Sequence, residues 1–100
     1  MTIRQEKDGS RLVISVEGYL DALTAPELEA ELGKALADID DLVFDLKDME
    51  YTSSAGLRVL LGAQKVMDEK DGSMLVRGAN ELVMEIFEET GFTNILDIEE

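Results

Sequence analysis

Residues 52–57 read Thr-Ser-Ser-Ala-Gly-Leu and follow an acidic stretch, Lys-Asp-Met-Glu-Tyr. Three adjacent hydroxyls are the side chains here with the clearest chemical potential. A serine hydroxyl attacks well only when a neighbouring base takes its proton. The chain has no histidine and no cysteine. Ser-His-Asp and Cys-His catalysis, histidine metal ligation and the usual base near neutral pH are therefore excluded. Two roles stand out for the hydroxyls. One is to cap a helix, and the other is to receive a group such as phosphate from another enzyme.

The elements that would position this loop can be read from periodicity. Thr2 to Lys7 is polar and charged, as suits a protected edge strand. Asp8-Gly9 signals a hairpin turn. In Arg11 to Glu17, Leu12, Ile14 and Val16 alternate with Val13, Ser15 and Glu17, the pattern of a strand that Gly18 ends. Thr24 and Glu27 fit a capping box for a first helix to about Ala37. Pro26 is tolerated in its first turn. Leu42 to Leu46 reads as a strand buried on both faces, and residues 47–53 as a loop. A second helix runs from Ser54 to Glu69, with Leu57, Leu60, Leu61, Gln64, Val66 and Met67 inward. Met74 to Arg77 is a strand. Asn80 caps a third helix, whose Leu82, Val83, Ile86 and Phe87 face the core, and Gly91 closes it. Ile95 to Ile98 is a last strand. The order ββαβαβαβ predicts a single α/β domain over residues 1–100, with about five strands in a mixed, mostly parallel sheet and about three helices.

In open α/β sheets, ligand and partner sites lie beyond the carboxyl ends of the strands. If the first two long strands are parallel neighbours, the loop at Asp21 and the serines share one rim. Ser53 or Ser54 stands at the helix start, where a serine cap contributes about 1 kcal/mol. Two serines and Thr52 exceed what one cap requires. Ala55-Gly56 offers little bulk, so another backbone can approach closely. A phosphoserine there would add roughly −1.5 to −2 charges. The helix N-terminus would favour it by roughly 0.3–1 kcal/mol. A carboxylate about 5 Å away would oppose it by roughly 3 kcal/mol per unit charge at an effective dielectric near 20. The simplest reading of these residues alone is plainer: a serine cap, Asp21 in solvent, Asp45 as a structural acceptor, and Leu57, Leu60 and Leu61 in the core.

Composition narrows the partners. Nine basic against twenty-three acidic residues give a formal net charge of −14. Such a surface repels nucleic-acid phosphates and anionic lipid, and steers in basic proteins. Neither a membrane span nor a signal peptide is evident, so no membrane insertion and a cytoplasmic location are expected. A monomer is the default. No cofactor, metal site or catalytic residue is expected.

Taken together, Gly-Tyr-Leu-Asp at 18–21 with its following helix, Leu-Val-Phe-Asp-Leu to Leu61, and Thr-Gly-Phe at 90–92 resemble the STAS-domain family of bacterial anti-sigma factor antagonists. The resemblance covers the whole chain. It implies a binding module without enzymatic activity. When unphosphorylated, it captures an anti-sigma factor that is also a serine kinase; phosphorylation releases it, and a PP2C-type phosphatase resets it. By position, the implied phosphoacceptor is Ser54, and the loop aspartate is Asp21. Thr24, Ser53, Gly56 and Leu57 complete the implied partner site. Many switching members have aspartate where this chain has Ser53, and serine or threonine where it has Ala55. The competing expectation is a constitutive STAS subunit of a transport complex, in which Ser54 only caps. A small enzyme or nucleotide binder is the third, opposed by the lack of a Gly-rich phosphate loop with lysine.

Overall fold

A computed structural model describes residues 1–99; Glu100, the last residue of the expected domain, lies outside them. β1 (Thr2–Asp8) and β2 (Arg11–Leu20) form an antiparallel hairpin. Its turn is Gly9-Ser10, one residue later than the Asp8-Gly9 signal, with Gly9 at φ 62°. α1 (Ala25–Ala35) and a 3-10 turn (Leu36–Asp38) lead to β3 (Asp41–Asp45). Then come β4 (Met49–Thr52), α2 (Ser54–Glu69), β5 (Ser73–Arg77), α3 (Glu81–Thr90), a second 3-10 turn (Phe92–Asn94) and β6 (Asp97–Glu99).

The sheet order is β1-β2-β3-β5-β6, with β2, β3, β5 and β6 parallel. β4 also pairs with β2, beyond the end of β3. Six strands replace the five expected. Residues 49–52 read as loop because four residues with a break in register carry no alternation. Gly18 does not end β2. It sits at φ 88°, its N–H bonds Asp48 O at 3.0 Å, and the register shifts there, so one strand changes partner from β3 to β4.

Leu12, Ile14 and Val16 of β2, Leu42 and Phe44 of β3, and Met74 and Val76 of β5 join one core with buried residues of all three helices. The helices therefore cover one sheet face. Val43 is buried on the other, so β3 is enclosed on both faces as its apolar run predicts. Two residues expected inward lie out: Val66 and Leu82 are exposed. Gly33 and Gly62 line an open apolar groove of about 370 Å³ between α1 and α2. Lys70 fastens the far ends of those helices by donating to Leu36 O at 2.7 Å and Ile39 O at 2.6 Å.

Two helix starts show how capping is distributed. Asn80 accepts from Val83 N–H at 2.8 Å and donates to Met49 O at 3.1 Å, joining α3 to β4. Ser53 occupies the cap position of α2 but makes no cap bond, and its Oγ is enclosed without a hydrogen-bond partner. Urea denaturation should separate them. Asn80→Ala should cost about 1–2 kcal/mol. Ser53→Ala should fall within about 0.5 kcal/mol of the parent or stabilise it, because an enclosed, unpaired hydroxyl is removed. Equal losses would contradict this geometry.

Candidate functional site

The pairing of β2 with β4 builds the site. Leu20 and Thr52 are register partners, and Ser53 N–H donates to Leu20 O at 2.9 Å. Asp21 follows Leu20 and the serines follow Thr52, so the two loops leave the sheet side by side. The expected rim exists, and β4 rather than β3 delivers the serines to it.

The loop at Asp21 is tied to itself. Asp21 Oδ1 accepts from Leu23 N–H at 3.0 Å and Thr24 N–H at 3.1 Å. Thr24 Oγ1 accepts from Asp21 N–H at 2.9 Å and lies 3.0 Å from Tyr19 O and 3.1 Å from Asp21 Oδ1, either of which can take its proton. The expected Thr24–Glu27 capping box therefore does not form, because the hydroxyl turns back to the loop instead. The Thr24 N–H, with help from the Thr24 hydroxyl and the Leu23 N–H, holds the Asp21 carboxyl below its ordinary pKa. The folded value being the lower one, this contribution to stability is complete above the ordinary value of about 3.9 and is lost as pH falls through the lowered value. Thr24→Val removes only the hydroxyl. It should raise the Asp21 pKa part of the way in an NMR carboxyl titration, and an unchanged titration would mean that the hydroxyl does not support Asp21.

The three hydroxyls have different fates. Thr52 is buried and Ser53 Oγ is enclosed, whereas Ser54, the first residue of α2, is exposed. Gly56 and Leu57 are buried beneath the loop and offer no surface of their own. At Gly56 the close approach is internal: a Cβ would lie 2.4 Å from Thr52 Oγ1 and 2.7 Å from Leu20 Cγ. Asp45 is the structural acceptor expected of it. It takes Lys47 N–H at 3.1 Å and faces Arg77 at 3.5 Å. It lies on the sheet face away from the helices, which leaves Asp21 as the carboxylate of the serine rim.

Sequence reasoning missed the apolar part of this rim. Leu23 is 91% exposed at the tip of the Asp21 loop. Tyr19 and Tyr51 are register partners with ring centroids 6.1 Å apart, and are 54% and 37% exposed. The tyrosine pairing has no trace in the sequence, because residues 49–52 carry no strand alternation and pair only through the irregular register with β2. Leu23 had a signal, being a large apolar residue between Asp21 and Thr24 in a turn. Among the described residues there is no cluster of acidic side chains able to hold a metal, and no helix long and apolar enough to cross a membrane.

Comparison with known proteins gives this geometry its relatives. The chain is 32% identical over 85 residues to an anti-sigma-B factor antagonist of Bacillus subtilis (strain 168), covering 85% of this chain and 78% of that one. A crystal structure of an anti-sigma factor antagonist from Mycobacterium paratuberculosis superposes with a TM-score of 0.87 at 28% identity, covering 97% of this chain and 83% of that one. The phosphorylated form of the Bacillus cell fate determinant SpoIIAA shares the fold, with a TM-score of 0.78 at 15% identity, covering 99% of this chain and 92% of that one. The family model described as "Mlab, STAS domain" matches residues 3–97, and the chain belongs to the STAS domain family.

Proposed function

We propose that this protein is an anti-sigma factor antagonist, a non-enzymatic module that binds an anti-sigma factor with serine kinase activity and lets go when Ser54 is phosphorylated. The carrying observation is the exposure of Ser54 alone among three adjacent hydroxyls, at the start of α2 and beside the Asp21 loop. Relatives named as anti-sigma factor antagonists support the role. In this reading Leu23, at the tip of the Asp21 loop, supplies apolar contact near Ser54, and Tyr19 and Tyr51 extend the apolar surface on the adjoining strands. Asp21 and Thr24 fix the loop that carries Leu23, while Ser53, Gly56 and Leu57 set the seat of α2. A basic face on the partner would match the net charge of −14. Phosphate on Ser54 would have to be stripped of water inside the contact beside Leu23, so binding is lost, while the fold stays because the helix end tolerates the charge. A PP2C-type phosphatase restores the free hydroxyl.

Peptide mass spectrometry on protein from its native cells, under two growth conditions, tests the site. Phosphate on Ser54 that varies with condition is expected. Phosphate on Ser53 alone would move the site, and none under either condition would sink the switch. The second reading, a constitutive STAS subunit of a transport complex, has one observation in its favour: Ser53, enclosed and uncharged, precedes Ser54 where many switching members carry aspartate.

A further inference from the structure

Five of the nine basic residues are engaged within the fold. Arg4, Lys7, Arg11 and Arg77 face Glu17, Asp38, Asp41 and Asp45, and Lys70 donates to backbone carbonyls. Among the described residues, Arg58 is the one arginine with no carboxylate within ion-pair distance. That is unexpected in a chain so rich in acid, and Glu29 lines the same groove without pairing with it. Arg58 is exposed on α2, four residues after Ser54, which is also exposed.

Residues four apart on a helix have Cβ atoms about 5–6 Å apart on one face. The favourable orientation places the anion N-terminal to the cation, as a phosphate on Ser54 and the guanidinium of Arg58 would be. A guanidinium can offer two parallel N–H donors to a phosphate. The first turn of α2 has no side-chain cap, so its free N–H groups leave the local field positive. We infer that Arg58 is an intramolecular clamp for phosphate on Ser54, held unpaired in the unmodified protein and engaged on modification. This inference rests on the reading of Ser54 as phosphoacceptor. The clamp has two effects. It holds the phosphate against the first turn of α2, and it favours the dianion over the monoanion, an effect felt most at pH values near and below the second ionisation.

The test places phosphoserine at position 54 by genetic encoding, so no kinase is required. The second ionisation of the phosphate is followed by phosphorus NMR at low salt. An i,i+4 pair of ordinary strength implies a second ionisation constant about 1.5- to 2.5-fold larger with Arg58 than in Arg58→Gln. Arg58→Lys should keep part of the effect, Lys65→Gln should leave it whole, and about 1 M salt should erase it. Unmodified parent and Arg58→Gln should melt alike, since the side chain is exposed and unpaired. Superimposable titrations for parent and Arg58→Gln would overturn the clamp. Native protein without phosphate on Ser54 would instead defeat the functional reading and leave the titration result standing.

Discussion

Gly56→Ala should lower stability by about 1–3 kcal/mol, although alanine is the better helix former by roughly 1 kcal/mol. The added Cβ has nowhere to go. Thr52 Oγ1 would stand 2.4 Å away and Leu20 Cγ and Cδ2 at 2.7 and 2.9 Å, and both residues are buried at the paired ends of β4 and β2. Relief requires α2 to lift from the strand ends that deliver Asp21 and Ser54. The same substitution at Gly62 is the control. It lies in the same helix, but a Cβ there meets nothing within 4 Å. Gly62→Ala should stabilise by up to about 1 kcal/mol. Urea denaturation of the two variants should thus give opposite signs, and equal signs would mean that α2 does not sit on Leu20 and Thr52 as described.

Leu23→Asp should weaken capture of the anti-sigma factor by about 100-fold while leaving the melting temperature within a degree or two. Full burial of a leucine side chain is worth roughly 1.5–3 kcal/mol, about a tenfold to hundredfold change in affinity. The aspartate adds the cost of bringing a charge into the contact and a second negative charge beside Asp21. Stability should hold because Leu23 is 91% exposed and contributes nothing to the core. Leu23→Ala should fall between parent and Leu23→Asp. Titration calorimetry of each against the purified partner checks the order, and parent-like binding by Leu23→Asp would remove this loop from the interface.

The fold was legible wherever burial repeats. β2 announces itself by strict alternation, α2 spans the expected residues, and Asn80 and Gly91 bound α3 as capping chemistry requires. Legibility failed where tertiary pairing overrides local pattern. Gly18 looks like a stop in one dimension and in three is where β2 changes partner, because Asp48 O and β4 wait to receive the chain beyond it, with Glu50 of β4 as the extra residue of the irregular pairing. Met49 to Thr52 became a strand only through that pairing. Thr24 satisfies the capping-box spacing, yet its hydroxyl finds Asp21 and Tyr19 first. At the site, Asp21 and the serines were brought to one rim as their loops implied. What the residues could not reveal was which hydroxyl faces out. That depends on the helix seat set by Leu20, Thr52 and Gly56, and it separates an enclosed Ser53 from an exposed Ser54.

The most direct test of the account is titration calorimetry of the purified anti-sigma factor with two forms of this protein, one unmodified and one carrying phosphoserine at position 54, with a thermal melt of each form alongside. A phosphate that must give up water inside the contact beside Leu23 predicts affinity lower by about 100-fold or more, with the fold intact because the helix N-terminus tolerates the charge. Equal affinity of the two forms, or loss of binding only because the modified form unfolds, would contradict it.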